Sequence, residues 1–186
     1  MYTVIHLVFL LLIWSASTPA TTVKTFAFDG LCETAPTIVY VRCLEAKALI
    51  PEGRDGIFTR YRFAVINAIK GQPRSELAIL LPGGTVGQSH TDVPGMPRFV
   101  VGQETVLFLS EMDDFGSPWP VGLGQGCYDV VVDPDGSRHV AQRQQNPADP
   151  ALRAKPGQQA SVALDTFLDA IREAVQSEKP GLDVKR

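Results

Sequence analysis

Apolar and polar positions alternate along much of the chain, and that alternation predicts strands. The run "TIVYVRCLEA" (37–46) is rich in β-branched and aromatic residues and reads as a first strand with Val39, Val41 and Cys43 on its core face. After the turn cluster "PEGRDG" (51–56), "IFTRYRFAVINAIKG" (57–71) predicts a long second strand. There Ile57, Tyr61, Phe63 and Val65 alternate with Arg60 and Arg62. "ELAILLP" (76–82) and "ETVLFLSE" (104–111) give strands three and four. "DDFGSP" is a turn, "WPVGLGQG" (119–126) a short glycine-interrupted strand, and "CYDVVVD" (127–133) alternates again. A "PDG" turn lets "RHVAQ" pair back as a hairpin.

The period changes at the two ends. "FDGLCETA" (28–35) suits one or two helical turns capped by Asp29. In "SVALDTFLDAIREAVQ" (161–176), Ser161 is the cap, and Leu164, Phe167, Leu168, Ile171 and Val175 fall on one helical stripe. Residues 143–160 are rich in Gln, Pro and Ala without periodicity and read as a loop; 177–186 reads as a frayed tail. Short strands followed by one amphipathic helix predict a mainly β fold: a small barrel over 21–142 with the C-terminal helix packed on it. The long second strand favours closure, since a strand that bends serves both halves of a wound sheet. Gly122, Gly124 and Gly126 suit tight corners.

The first twenty residues, "MYTVIHLVFLLLIWSASTPA", carry an apolar run too short for a membrane span, then small residues with Ser17 or Ala20 as cleavage points. That is the layout of a secretory signal peptide, although no Lys or Arg precedes the apolar run. The expected product is a secreted or periplasmic soluble protein with no membrane span after cleavage. All charged residues follow residue 20, so the net charge of −3 belongs to the mature chain. Signs are mixed and no basic stripe tracks phosphates, which sets nucleic acid aside as a partner.

The three cysteines, Cys32, Cys43 and Cys127, survive signal removal in a compartment that permits disulfides. A continuous first strand carries Cys43 ~20 Å from Thr37, further than the short step back to Cys32 recovers. Strand parity places Cys127 with Asp129 and Asp133 and opposes it to Cys43. The remaining pairing, Cys32–Cys127, is the candidate disulfide, with Cys43 a buried thiol.

Between strands three and four lies "GGTVGQSHTDVPGMPRFVVGQ" (83–103). It is not a phosphate loop: the spacing is wrong, the lysine is missing and a strand follows. Gly83-Gly84 permits a sharp turn, and Pro94, Gly95 and Pro97 stiffen the approach to an anchoring Phe99. A stiffened surface loop loses little entropy on docking, so it is also a candidate binding loop. Its contact residues are taken as Thr85, His90, Met96 and Arg98, with the rim around Trp119.

Catalytic patterns are thin. His90 and His139 stand in no zinc spacing, and Ser89, His90 and Asp92 are sequence neighbours rather than a triad gathered by the fold. No Gly-x-Ser-x-Gly elbow occurs, and "DPDG" lacks the later ligands of a calcium loop. Glu104, Glu111, Asp113 and Asp114 are the one carboxylate set with a hydrolytic reading. No catalytic residue, metal or cofactor is assigned.

The segments "APTIVYVRCLEAKA", "FTRYRFAVINAIKG", "LPGGTVG", "VPGMPRFVVGQETVLFL" and "VGLGQGCYDVVVD" together resemble a family of exported bacterial proteins of unknown function. That resemblance implies an exported β-barrel domain and transfers no catalytic residues. The strand plan, with "YRFAVINAIKG" before "VGQETVLFL", is distantly similar to netrin-like domains, the OB-type barrels of metalloproteinase inhibitors. Those inhibitors ligate the protease zinc through an N-terminal cysteine, whereas this mature chain starts at a threonine, Thr21 or Thr18. The leading functional expectation is a non-catalytic binding or accessory module that meets a protein or envelope component. A protease inhibitor or protease-associated module, and a hydrolase with an unrecognised site, are the alternatives.

Overall fold

The computed structural model describes residues 24–143 and 162–177. The segment expected to be a signal peptide, the expected cap at Ser161, almost all of the 143–160 stretch and the residues beyond Ser177 lie outside the described residues. In chain order the elements are α1 (Phe28–Thr34), β1 (Thr37–Leu49), β2 (Phe58–Lys70), β3 (Glu76–Pro82), β4 (Gly84–Val86), β5 (Ser89–Thr91), β6 (Glu104–Met112), β7 (Pro118–Pro120), β8 (Cys127–Val132), β9 (Arg138–Gln142), β10 (Val162–Ala163) and α2 (Leu164–Ser177).

The eight-stranded antiparallel sheet runs β10-β9-β8-β6-β1-β2-β3, with β7 paired to β6. The mainly β reading with a C-terminal helix therefore holds, but the sheet is not closed into a barrel. The break lies between β3 and β7, and its cause is local. Two of the three residues of β7 are Pro118 and Pro120, which have no N–H to offer a ladder. One side chain spans the gap instead: the Leu80 amide donates to Ser117 Oγ at 2.8 Å.

Each face of the sheet has its own core. On one, Ile38, Tyr40, Val106, Phe108, Tyr128 and Val140 pack under Leu31 of α1 and Leu164, Phe167, Leu168 and Ile171 of α2. The other, wound on itself, gathers Val39, Val41, Cys43, Tyr61, Phe63, Ile79, Leu81, Leu107, Leu109 and Cys127 around Phe99. The Phe99 ring meets Tyr61 and Phe63 edge-on, at 5.0 and 5.1 Å between centroids. The start of β1 is thus buried on both faces, which explains its unbroken apolar run.

Several local expectations change. Ala27, not Asp29, is the N-cap of α1, and Asp29 falls within the first turn, where its charge suits the helix dipole. Residues 119–126 are not one strand. After Pro120, Gly122 and Leu123 take left-handed backbone (φ 62° and 60°) and a 3-10 turn, Leu123–Gly126, follows. Gly126 admits no side chain, since a Cβ there would lie 2.5 Å from the Val121 carbonyl oxygen. The loop before β6 contains a hairpin, β4–β5, turned by Gly87 at φ 58°. Val162 and Ala163 pair with β9, so α2 begins at Leu164.

The Cys32–Cys127 disulfide is not formed. Cys32 is buried in the helix-side core and Cys127 in the opposite one, so the sheet stands between them. All three cysteines are buried without a disulfide. Cys127 and Cys43 lie on the same face, contrary to the parity reading. Asp129, taken as a marker of the solvent side, sits on that inner face at its rim, where Arg143 neutralises it.

Candidate functional site

The stretch after the β4–β5 hairpin is tied to its surroundings by backbone hydrogen bonds. The Met96 amide donates to the Val93 carbonyl (3.1 Å), and Gly124 of the 3-10 turn donates to Gly95 (3.2 Å). Arg143 closes the structure from the far side. Its Nε donates to Asp129 Oδ2 at 3.0 Å, Nη2 donates to Oδ1 of the same carboxylate, and Nη1 donates to the Arg98 carbonyl. The guanidinium carbon also lies 4.7 Å from the Phe99 centroid, within cation–π range. Gly95, Met96, Pro97, Arg98, Gly124 and Arg143 line an open groove of about 420 Å³.

Beyond Phe99 the chain makes a turn that exposes two apolar residues. Val100 is 70 % and Val101 61 % exposed. The C-terminal end of this turn is tied to β1. Gly102 donates to the Cys43 carbonyl and Cys43 to the Gln103 carbonyl, each at 2.8 Å. Within it, Gln103 N donates to Val100 O and Val100 N to the Gln103 side-chain oxygen, both at 3.0 Å. In register, Thr105 faces Asp129, so the turn before β6 lies beside the end of β8, which runs on paired to β9 alone. Val131 and Val132, 43 % and 55 % exposed, therefore stand at the same end. Rigid display of apolar side chains in water is what an interaction surface requires.

Of the residues proposed from sequence, Met96 and Arg98 share the groove. Met96 packs partly on the inner core, and exposed Arg98 donates from Nη2 to Asp92 Oδ1 at 2.5 Å. Thr85 and His90 are an exposed cross-strand pair on the hairpin, joined Oγ1 to Nδ1 at 2.9 Å. Trp119 is not among the groove-lining residues; its Nε1 donates to Asp113 Oδ2 at 3.2 Å. Val100 and Val101 were missed because "RFVV" reads as the approach to a strand. The available signal was parity: with Phe99 anchored inward, two consecutive valines cannot both follow it.

The carboxylates do not gather. Glu104 begins β6 and Asp113 follows its last residue, ~30 Å away along the extended chain. Each is committed to structural partners. Glu104 accepts from Tyr40 OH and from Arg42 Nη2 (2.6 Å), and Arg138 Nη1 lies 3.4 Å away. Burial pushes the Glu104 carboxyl up, but these hydrogen bonds and the two guanidinium charges outweigh it and hold the group below its ordinary value. The Tyr40 phenol is pushed up to about 12, first by burial and then by its bond to Glu104. Asp113 is likewise lowered: backbone bonds from Ser117 and Phe115 and the Arg54 guanidinium outweigh its desolvation. Arg54 donates to Asp113 Oδ2 at 2.9 Å and lies 3.7 Å from the Phe115 centroid. Carboxylates held charged by arginines in this way are poor general acids.

Among the described residues no three His, Cys, Asp or Glu side chains converge on a metal position, and no helix is long and apolar enough to cross a membrane. No family model matches the chain, and no curated protein or solved structure matches it significantly.

Proposed function

We propose that this protein is an exported, non-catalytic binding module that meets a protein component of the cell envelope through the 96–101 stretch. The observation that carries the reading is the pinned turn holding Val100 and Val101 in solvent beside the Met96–Arg98 groove. A flexible loop would lose affinity to ordering on contact, and a stiff one avoids most of that cost. The fitting partner surface is an apolar patch with a carboxylate at its edge for Arg98, which is over half exposed.

Localisation outside the cytoplasm rests on the N-terminal apolar run. The OB/netrin-like assignment rests on the strand plan, in which β1 pairs with β2 and β6 and Ser117 brings β7 to β3. The protease-inhibitor alternative draws on the same turn, because a rigid exposed loop is the kind of element a protease cleft grips. The test is capture from envelope extract with the mature protein and with a Val100→Asp/Val101→Asp variant. One partner retained by the native protein and lost by the variant supports the proposal. A partner retained equally by both refutes the placement, and inhibition in a protease panel favours the alternative.

A further inference from the structure

A second surface lies at the opposite end of β6 from Val100. Where the sheet fails to close, a slot of about 510 Å³ separates the outer edge of β3 from the end of β6. Half-buried Leu77 contributes apolar surface to it, with fully buried Leu109 behind, and Met112, 69 % exposed, stands at its border with Pro118. Arg74 and Glu111 also border the slot, and neither makes an ion pair among the described residues.

The edge itself carries hydrogen-bonding groups. In an antiparallel pair, alternate residues turn their N–H and C=O toward the partner strand and the others turn theirs away. Ser75 O accepts from Val65 N of β2, and Leu80 N donates away from β2 to Ser117. Odd-numbered residues of β3 therefore serve the ladder with β2, and the peptide groups of Glu76 and Ala78 point outward. Since β3 ends the strand order, those outward groups have no ladder partner among the described residues. Ser117 occupies Leu80 alone.

We propose that the outer edge of β3 takes an extended segment of a partner polypeptide as an added strand. An alternating row of donors and acceptors beside an apolar slot matches a peptide backbone bearing one apolar side chain. The segment pairs with Glu76 and Ala78 and places an apolar residue against Leu77 and Met112. Arg74 favours an acidic residue on one side of it and Glu111 a basic residue on the other. This inference goes beyond the 96–101 reading and does not depend on it.

The experiment pans a displayed library of random linear peptides on the mature protein and measures the enriched sequences as synthetic peptides by fluorescence anisotropy. Enriched peptides should share an apolar residue between an acidic and a basic one. N-methylation of the pairing peptide amide, Ala78→Pro and Met112→Glu should each weaken binding about tenfold. Ala78→Pro removes an outward N–H and spares the ladder; the N-methylated peptide removes the reciprocal bond, from the peptide N–H to an outward carbonyl of β3, with the native protein unchanged. Arg98→Glu should leave the affinity unchanged. Failure to enrich any peptide, indifference to N-methylation, or loss with Arg98→Glu but not Ala78→Pro would overturn the proposal.

Discussion

The guanidinium of Arg143 lies over the Phe99 ring, 4.7 Å from its centroid, while its three donor nitrogens serve Asp129 and the Arg98 carbonyl. One side chain thus ties β8, the groove loop and the inner core together. Arg143→Met keeps the apolar stem and removes every donor. Because bonds to charged groups are the stronger ones, the variant should lose about 2 kcal/mol in urea titration. Amide exchange at Met96 and Gly124 should accelerate, with Cys43 unaffected. Unchanged exchange in the loop would show that Arg143 does not hold it.

Ser117 offers a sharper test of the open sheet. Ser117→Ala leaves the Leu80 amide without its acceptor and should cost about 1 kcal/mol. Hydrogen exchange should rise at Leu80 and remain slow along β1 and β2. A global rise with no excess at Leu80 would mean that the gap is closed by something other than this bond.

The thiols should be silent in the folded protein. Burial pushes the Cys127 thiol up to about 12, so almost no thiolate is present near neutrality. Iodoacetamide should fail to modify Cys127 in the native state and should modify it in denaturant without prior reduction. A requirement for reductant in denaturant would reinstate a disulfide.

Stability should respond to pH in two windows. Glu104 and Asp113 have folded values below their unfolded ones, so their contribution is complete above the ordinary carboxylate range and declines as pH falls through the folded values. Tyr40 has the opposite sense: its folded value of about 12 exceeds the unfolded one, so its contribution holds below ~10 and declines as pH rises toward the folded value. Urea midpoints should therefore be flat near neutrality and fall at both extremes. Glu104→Gln should lessen the acid fall and Tyr40→Phe the alkaline one. Slopes unchanged in both variants would assign the pH dependence elsewhere.

The strands were legible because their pattern is local. Val65 and Phe63 against Arg62 declare a face without any knowledge of neighbours, and β3 was read at its observed bounds, Glu76–Pro82. What failed depended on contacts between distant segments. Asp129 looks like a solvent marker until Arg143 is placed beside it, and that error misplaced Cys127. Pro118 and Pro120 deny β7 a ladder on the side away from β6, yet their effect on closure requires knowing that β3 would have been the partner. The hairpin at Gly87 was hidden among glycines and prolines that equally permit an irregular loop. Of the site, Pro94 and Pro97 marked the stretch that backbone bonds tie to its surroundings, and the exposure of Val100 and Val101 was signalled only by the parity that an inward Phe99 sets.

The most direct measurement is photocrosslinking in the producing cells, with a photoreactive residue at position 100 and, in a parallel protein, at Ile50, which is 62 % exposed and lies outside the pinned turn. The account expects one dominant protein adduct from position 100, diminished by Arg98→Glu, and none of the same mass from position 50. Equal adducts from both positions, or none from position 100, would contradict the claim that this turn is where the protein meets its partner.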